Sequence, residues 1–255
     1  MPTNDAARVR TSRGLGLPAR TRACLFDLDG VLTRTADIHR AAWRQVFDEV
    51  LAGADAEPAH PFSDQDYLAY VDGKPRRDGV RDFLASRGIR LPEGDPDEPP
   101  SSRTIAGIAN TKQERLVKLL SAEGVRVYDG SVDYVRAARA AGLATAVVTS
   151  SANSSVILEA AGISDLFDAR IDGVVAAREG LAGKPAPDTF LAGATALGVE
   201  PVVAAVFEDA IAGVAAGRAG GFGFVVGIDR VGQAEALRSH GADIVVADLA
   251  ELVDA

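Results

Sequence analysis

Two pairs of acidic residues stand at the ends of apolar runs, where their side chains could share one site. Asp27 and Asp29 are two positions apart in "LFDLDG", and Gly30 follows them directly. Glu208 and Asp209 end a second apolar run, "VVAAVFED". Carboxylates held close together repel one another unless a cation offsets their charge. A chain that brings both pairs to the same edge of a sheet would therefore build a cation site, and magnesium prefers such carboxylate and water oxygens.

The same residue types predict phosphoryl transfer. An aspartate at a strand end can attack phosphorus and form an aspartyl-phosphate, provided that positive charge and a proton are supplied nearby. Lys184 in "GKPAP" can provide the fixed cation, and Thr149 in "AVVTSS" provides a hydroxyl where a helix begins. Asp29, two positions after the nucleophile Asp27, can act as general acid and then as general base. Each motif alone is common in turns and caps, but all four in this order indicate one site.

The elements that position these residues alternate along the chain. Continuous apolar runs predict strands buried on both faces of a parallel sheet, at residues 22–28, 143–149, 202–208, 222–228 and 243–247. Helical patterns separate them, at residues 131–141, 153–161, 188–197 and 210–219. This alternation predicts an α/β fold with a doubly wound parallel sheet, whose ligands bind beyond the carboxyl ends of the strands.

The region between the first two predicted strands reads differently. Residues 36–125 hold three helical patterns and no strand pattern, which predicts a helical cap domain inserted after the first strand. The core domain is then expected at residues 21–35 and 126–255. Residues 1–20 are rich in arginine and lack an apolar segment, so we expect a flexible N-terminal tail rather than a secretory signal.

Composition excludes several classes of protein. The chain has 255 residues and a formal net charge of −9, which argues against nucleic acid and against a polybasic membrane anchor. No apolar stretch is long enough to span a bilayer. The single cysteine, Cys24, excludes an internal disulfide framework and fits a cytoplasmic location. We expect a monomer.

The four motifs "DLDGVL", "VVTSS", "GKPAPDTF" and "FEDAIAGVAAGRAGG" resemble those of the haloacid dehalogenase superfamily of phosphotransferases. The resemblance covers nearly the whole chain after residue 21 and is strongest for the sugar-phosphate mutase branch, which has a small helical cap. It implies that Asp27 is the nucleophile and Asp29 the general acid/base. It implies that the phosphoryl group is bound by Thr149, Ser150 and Lys184, and that Mg²⁺ is held by Asp27, the Asp29 carbonyl, Glu208 and Asp209.

The resemblance also implies substrate contacts in the cap. His39 and Trp43 stand one helical turn apart in "HRAAW", as in the mutase branch. On the residues alone, a hydrogen-bonded histidine and a core tryptophan on an amphipathic helix are the simpler interpretation. The other implied contacts are Gly73 and Arg76 in "VDGKPRR", Lys112 in "NTKQERL", and Ser151 and Asn153 in "SSAN", with Pro75 where the branch has a serine.

Two enzymatic functions follow from this reading. The first is a hexose-phosphate mutase that converts β-glucose 1-phosphate to glucose 6-phosphate, with a phosphorylated sugar as substrate and a bisphosphate as activator. The second is a sugar-phosphate or phosphoglycolate-type phosphatase. A non-enzymatic phospho-receiver domain is the distant alternative, because such a domain lacks a helical insert after its first strand.

Overall fold

A computed structural model of the chain describes residues 14–53 and 60–253. Its core is one sheet of six parallel strands in the order β3-β2-β1-β4-β5-β6. The strands are β1 (Ala23–Phe26), β2 (Ala144–Val148), β3 (Ala169–Ile171), β4 (Ala204–Glu208), β5 (Phe224–Ile228) and β6 (Ile244–Val246). The α/β fold with a parallel sheet, predicted from the alternating pattern, is confirmed.

The central strands are apolar throughout because both faces of the sheet are covered. Every residue of β1 and β4 is buried. On one face Phe26 stacks on Phe207 with ring centroids 4.4 Å apart. On the other face Leu25 and Val206 belong to a second cluster with Phe190. The two clusters fix the sheet from both sides, so the strand ends that carry the acidic residues are held in register.

Helices of the core cover this sheet. They are α5 (Asp129–Ala140), α6 (Ser154–Ala160), α7 (Gly173–Glu179), α8 (Asp188–Ala196), α9 (Ile211–Ala219) and α10 (Ala234–Ser239), with short 3-10 turns at Ser164–Leu166, Pro201–Val203 and Leu249–Leu252. The four core helices predicted from the sequence form within two residues of their expected bounds. Strand β3 was not predicted, because its three residues include the exposed Arg170 and carry no apolar run.

The segment between β1 and α5 is helical. It contains α1 (Thr35–Ala52), α2 (Asp64–Asp66) continuing as a π-helical turn (Tyr67–Val71), α3 (Arg76–Ser86) and α4 (Ile105–Glu123). Helix α4 begins at Ile105, where the Thr104 hydroxyl accepts a hydrogen bond from the Gly107 N–H at 2.9 Å and caps the helix. A separate apolar cluster that includes Phe47, Phe83 and Leu84 lies within this segment. The division into a cap of residues 36–125 and a core stays a prediction, with which this separate cluster agrees.

The N-terminal segment shows where the sequence interpretation needs correction. Residues 1–13 of the predicted tail lie outside the described residues. Leu15, however, is buried in the core, and its carbonyl accepts a hydrogen bond from the Tyr134 hydroxyl at 2.8 Å. The flexible tail therefore does not extend to residue 20, because the leucines that follow Gly14 find a place against the sheet. Across the described ranges, no helix combines the length and the apolarity needed to cross a membrane.

Candidate active site

The carboxyl edge of the sheet brings two of the predicted acids side by side. Asp27 follows β1 directly, and Glu208 is the last residue of β4. These strands are neighbours, with Phe26 paired to Phe207, and the Asp27 N–H donates to the Phe207 carbonyl at 3.0 Å. Parallel register alone therefore places both carboxylates at one edge of the sheet.

Lys184 lies between these two carboxylates. Its Nζ is 2.5 Å from Asp27 Oδ1, 2.5 Å from Glu208 Oε1 and 3.1 Å from the Val148 carbonyl, and the residue is 2 % exposed. Burial opposes the charge on Lys184, but the two carboxylates outweigh it and raise the pKa of the ammonium above its ordinary value. Lys184 therefore stays protonated, and its third contact orients it toward the end of β2.

Burial acts on the acids in the opposite sense. It raises the pKa of Asp27 to about 6 and that of Glu208 to about 7, although Lys184 lowers both. Burial, followed by the charges of Asp72 and Glu208, raises the pKa of Asp209 well above its ordinary value. The main cause of all three shifts is desolvation by burial, and repulsion from neighbouring carboxylates adds to it.

The loop after β1 is shaped to keep Asp29 and Asp209 close to this centre. Gly30 has φ +92°, and a Cβ on it would lie 1.8 Å from Asp209 Oδ2, so only glycine fits there. The Thr35 hydroxyl donates to Asp29 Oδ1. Burial raises the pKa of Asp29, which suits a group that must hold and release a proton.

The carboxylates of this centre have the charge and the oxygen ligands that a divalent cation needs. Their side chains are not arranged around one ion position. Within residues 14–53 and 60–253, no three His, Cys, Asp or Glu side chains are grouped closely enough to hold a metal ion. Glu208 is engaged by Lys184 instead. The carboxylates at this edge are nevertheless all buried oxygen ligands of the kind that Mg²⁺ binds, and their pKa values are raised first by burial and then by their mutual repulsion.

The helical segment supplies the opposite wall. Lys112 on α4 is 1 % exposed, and its Nζ lies 3.1 Å from His39 Nδ1 and 5.1 Å from the Trp43 ring centroid. Burial, followed by the charge of Arg76, lowers the pKa of Lys112 to about 7. Burial and both cations also hold the pKa of His39 well below its ordinary value, so this imidazole is neutral. With Nδ1 facing the ammonium, Nε2 carries the proton and points toward Asp29 Oδ1 at 3.6 Å.

Trp43 fits both of its sequence interpretations. It stacks on Phe47 with ring centroids 4.9 Å apart and belongs to the apolar cluster of the helical segment. It also lines the cavity beneath Lys112. Arg76 lines the same cavity, and its guanidinium donates to the Ala109 carbonyl at 3.4 Å.

The remaining predicted residues lie where the helical segment meets the core. The Ser150 hydroxyl donates to the Gly73 carbonyl at 2.8 Å, so this side chain faces the cap rather than standing free for phosphate. The buried Thr149 hydroxyl accepts from the Ser151 N–H at 3.1 Å. Asn153 pairs with Gln113 of α4. The predicted phosphate ligands are thus adjacent, but two of them already have partners across the seam.

One cavity of about 50 Å³ lies between the carboxyl edge of the sheet, which we call the core wall, and the helical segment, which we call the cap wall. All the predicted site residues line it except Lys184 and Glu208, which lie behind Asp27: the lining set is Asp27, Asp29, His39, Trp43, Gly73, Arg76, Lys112, Thr149, Ser150, Ser151, Asn153 and Asp209.

Sequence reasoning missed several residues of this site. Asp72 and Tyr67 line the cavity, and Tyr67 hydrogen-bonds to Asp72. Arg230 donates from Nε to the Gly30 carbonyl at 2.9 Å and lies 3.6 Å from the Tyr128 ring centroid, so it supports the catalytic loop. Asp72 stands directly before Gly73 and could have been noticed, but Arg230 follows β5 in "GIDRVG" and carries no local signal.

Comparison with known proteins agrees with this geometry. Residues 21–221 match the family model of haloacid dehalogenase-like hydrolases. The chain belongs to this family and is an enzyme of the haloacid dehalogenase superfamily. The prediction of a superfamily member is confirmed, and the receiver-domain alternative is excluded.

Particular relatives place the chain within the superfamily. It is 54 % identical over 251 residues to β-phosphoglucomutase of Mycobacterium tuberculosis (strain CDC 1551 / Oshkosh), covering 95 % of each chain. The crystal structure of β-phosphoglucomutase from Clostridium difficile matches with TM-score 0.70 and 26 % identity, covering 91 % of this chain and 93 % of that one. CbbY from Rhodobacter sphaeroides, solved in complex with phosphate, matches with TM-score 0.68 and 26 % identity, covering 91 % and 96 %. The chain is therefore similar to β-phosphoglucomutases along almost its whole length.

Proposed function

We propose that this enzyme is a Mg²⁺-dependent hexose-phosphate mutase that converts β-glucose 1-phosphate to glucose 6-phosphate. The observation that carries the proposal is the pairing of two walls around one cavity. Asp27 and Lys184 form a phosphoryl-transfer centre on one side, and Arg76 and Lys112 offer cationic groups on the other. A substrate with two phosphate positions needs both walls, whereas hydrolysis of one phosphate needs only the first. The 54 % identity to a β-phosphoglucomutase supports the same sugar.

In the first half-reaction, a carboxylate oxygen of Asp27 attacks phosphorus while the bond from phosphorus to the leaving sugar oxygen breaks. Asp29 donates its proton to that oxygen, and burial, which raises the pKa of this carboxyl, favours its protonated form. The donor in this step is the bisphosphate, so the products are the aspartyl-phosphate on Asp27 and a sugar monophosphate with a free hydroxyl where the phosphoryl group was. Lys184, fixed 2.5 Å from Asp27 Oδ1, balances the negative charge of the phosphoryl oxygens.

In the second half-reaction, a hydroxyl of the bound sugar phosphate attacks the aspartyl-phosphate and gives its proton to Asp29. The resulting bisphosphate turns round and returns its other phosphoryl group to Asp27, so a trace of bisphosphate acts as the activator. The Thr35 hydroxyl donates to Asp29 Oδ1 and orients the carboxylate for both proton transfers, and His39 Nε2, which has no hydrogen-bond partner among the described residues, lies 3.6 Å from the same oxygen. Arg76, Lys112, Ser151 and Asn153 hold the phosphate that is not being transferred.

Mg²⁺ would be held by Asp27, the Asp29 carbonyl, Glu208 and Asp209, after Glu208 turns from Lys184. When bound, it supplies positive charge that offsets the carboxylates and the phosphoryl group during transfer. This assignment of Mg²⁺ is supported by the number of buried carboxylates at this edge of the sheet, which exceeds the number of cationic side chains there.

The experiment mixes purified enzyme, Mg²⁺, β-glucose 1-phosphate and a trace of glucose 1,6-bisphosphate, and measures glucose 6-phosphate and inorganic phosphate together. The expected result is isomerisation with little phosphate release, and loss of activity when a chelator removes the metal. Phosphate release without isomerisation would contradict the proposal and establish the second function, a sugar-phosphate or phosphoglycolate-type phosphatase. A panel of other sugar phosphates in the same assay tests the choice of sugar.

A further inference from the structure

A reciprocal amide pair joins the helical segment to the core beside the cavity. Gln113 Nε2 donates to Asn153 Oδ1 at 2.6 Å, and Asn153 Nδ2 donates to Gln113 Oε1 at 3.2 Å. Gln113 is on α4, directly after Lys112, and Asn153 precedes the first residue of α6. Two neutral amides thus satisfy each other across the seam, and neither draws on the cations of the cavity.

The position of this pair relates it to the reaction. Asn153 lines the cavity together with Lys112 and Ser151. Its backbone N–H donates to the Ser151 hydroxyl at 3.2 Å, so the turn that leads into the N-terminus of α6 holds both residues beside the cavity. Any outward movement of α4 that widens the cavity must therefore break both amide hydrogen bonds.

Other contacts also cross the seam, and two of them involve backbone or close packing. The Gly73 carbonyl accepts from Ser150, and a Cβ on Gly183 would lie 2.0 Å from Pro75 Cγ, which shows how closely the loop before α3 rests on the core. The amide pair joins a different cap element, α4, to the core. It is made only by side chains, so one substitution removes it and leaves the backbone of both elements intact.

We propose that Gln113 is a specificity-determining residue that holds the cap closed and so directs the phosphoryl group of Asp27 to a sugar hydroxyl rather than to water. The inference rests on the proposed function. Closure of a lid excludes water from a reactive intermediate, and an aspartyl-phosphate exposed to water is hydrolysed. Asn153 lines the cavity with Lys112, and Gln113 joins α4 to Asn153 from behind, so this pair holds α4 against the core beside the cavity.

The test compares Gln113→Leu and Gln113→Glu with the wild-type enzyme and with Glu114→Gln, a control at the exposed neighbouring position. The measured quantity is the ratio of inorganic phosphate to glucose 6-phosphate formed at saturating β-glucose 1-phosphate. Loss of both hydrogen bonds in Gln113→Leu is expected to raise this ratio about tenfold. Gln113→Glu is expected to raise it less, since its carboxylate accepts from Asn153 Nδ2 but cannot donate to Oδ1. The control ratio stays at the wild-type value.

A second measurement reports closure without turnover. Trp43 is the one tryptophan of the sequence, is 3 % exposed and lines the cavity. Weaker closure lets acrylamide reach its ring, so the quenching constant of tryptophan fluorescence is expected to rise in both Gln113 variants and not in Glu114→Gln.

The two readouts separate failure of this inference from failure of the mutase proposal. If the wild-type enzyme isomerises but neither the product ratio nor the quenching changes in folded Gln113 variants, the role of Gln113 is refuted. If the wild-type enzyme releases only phosphate, the mutase proposal fails, and the assignment of Gln113 to transfer fails with it; quenching then shows whether the pair closes the cap at all. Unfolding midpoints of every variant identify a general loss of stability.

Discussion

The two walls of the cavity carry unbalanced charge of opposite sign. On the core wall, Asp27, Glu208 and Asp209 outnumber Lys184, which is bound between the first two. On the cap wall, Lys112 and Arg76 lie beside a neutral His39. Burial raises the pKa of the core acids and lowers the pKa of Lys112 and Arg76. The same desolvation thus prepares one wall for a cation and the other for an anion.

The walls also differ in how they are held. The core acids stand at the ends of strands whose register is fixed by ladders and by apolar clusters on both faces. The cap residues stand on helices that touch the core through a few side chains and close contacts. The core wall is thus the fixed wall, which suits chemistry that needs accurate distances. In the proposed mutase, the cap wall would move to let the substrate enter and turn round.

The largest effect should come from the fixed wall. Replacing Asp27→Asn removes the nucleophile but keeps the side-chain size, so both isomerisation and phosphate release should fall by at least about a thousandfold. Product assays with Mg²⁺ measure both reactions. Asp37→Asn, at an exposed position on α1, is the matched control and should retain activity. Appreciable turnover by Asp27→Asn would refute the covalent route.

The next prediction tests whether Lys184 stabilises the buried carboxylates of the core wall, and it is measured as the free energy of unfolding. Lys184→Met leaves Asp27 and Glu208 buried without their partner, and we expect the free energy of unfolding to fall by about 3–5 kcal/mol. Urea denaturation measures it, with Lys118→Met at an exposed position as the control. Mg²⁺ should recover part of the loss by binding to the freed carboxylates. An unchanged unfolding midpoint would show that Lys184 does not balance this edge.

The third effect belongs to the cap wall and has a defined pH dependence. The pKa of Lys112 is lowered to about 7 by burial and then by Arg76, with Asp29 opposing. The ammonium is charged below this pKa and neutral above it, so kcat/KM for the sugar phosphate should fall as pH rises from 7 to 9. Lys112→Met should lower kcat/KM about 10- to 100-fold at pH 6.5 and remove the decline above pH 7.

This prediction depends on the groups around Lys112, which are His39, Arg76 and Asp29. Neutral His39 does not compete for the proton, because burial and the two cations hold its pKa well below the tested range. A decline in kcat/KM that persists unchanged in Lys112→Met would assign the titration to another group. Lys118→Met again serves as the exposed control.

Most residues of the core wall could be predicted from the sequence. Asp27, Thr149 and Glu208 could be placed together because apolar runs predict parallel strands, and the ends of such strands share one edge. The ion pairs of Lys184 with Asp27 and Glu208 could not, since they depend on how the loop before α8 folds back over the sheet. Short β3 was missed for lack of an apolar run.

On the cap wall, prediction depended on resemblance rather than on pattern. Helical spacing predicts that Trp43 is buried, but not that one of its faces lines a cavity below Lys112. Gln113 gave no signal, because its role arises only where the helical segment meets the core. Contacts between separately folded layers are set by three-dimensional packing, and local sequence periodicity carries no record of them.

The smallest effect is expected at the seam, where the two walls touch. A Cβ on Gly183 would lie 2.0 Å from Pro75 Cγ, so Gly183→Ala must push the loop that carries Gly73 and Arg76 away from the core. We expect KM for the sugar phosphate to rise about 3- to 10-fold with kcat less affected, because substrate binding by the cap changes while the fixed wall does not.

Pro75→Ala removes the obstructing ring, so the double variant should recover most of the wild-type KM, a coupling that independent sites do not show. Gly53→Ala, where a Cβ meets only ordinary contacts at 3.6 Å, is the control. Strictly additive changes in the double variant would mean that the cap and core walls do not constrain each other at this point.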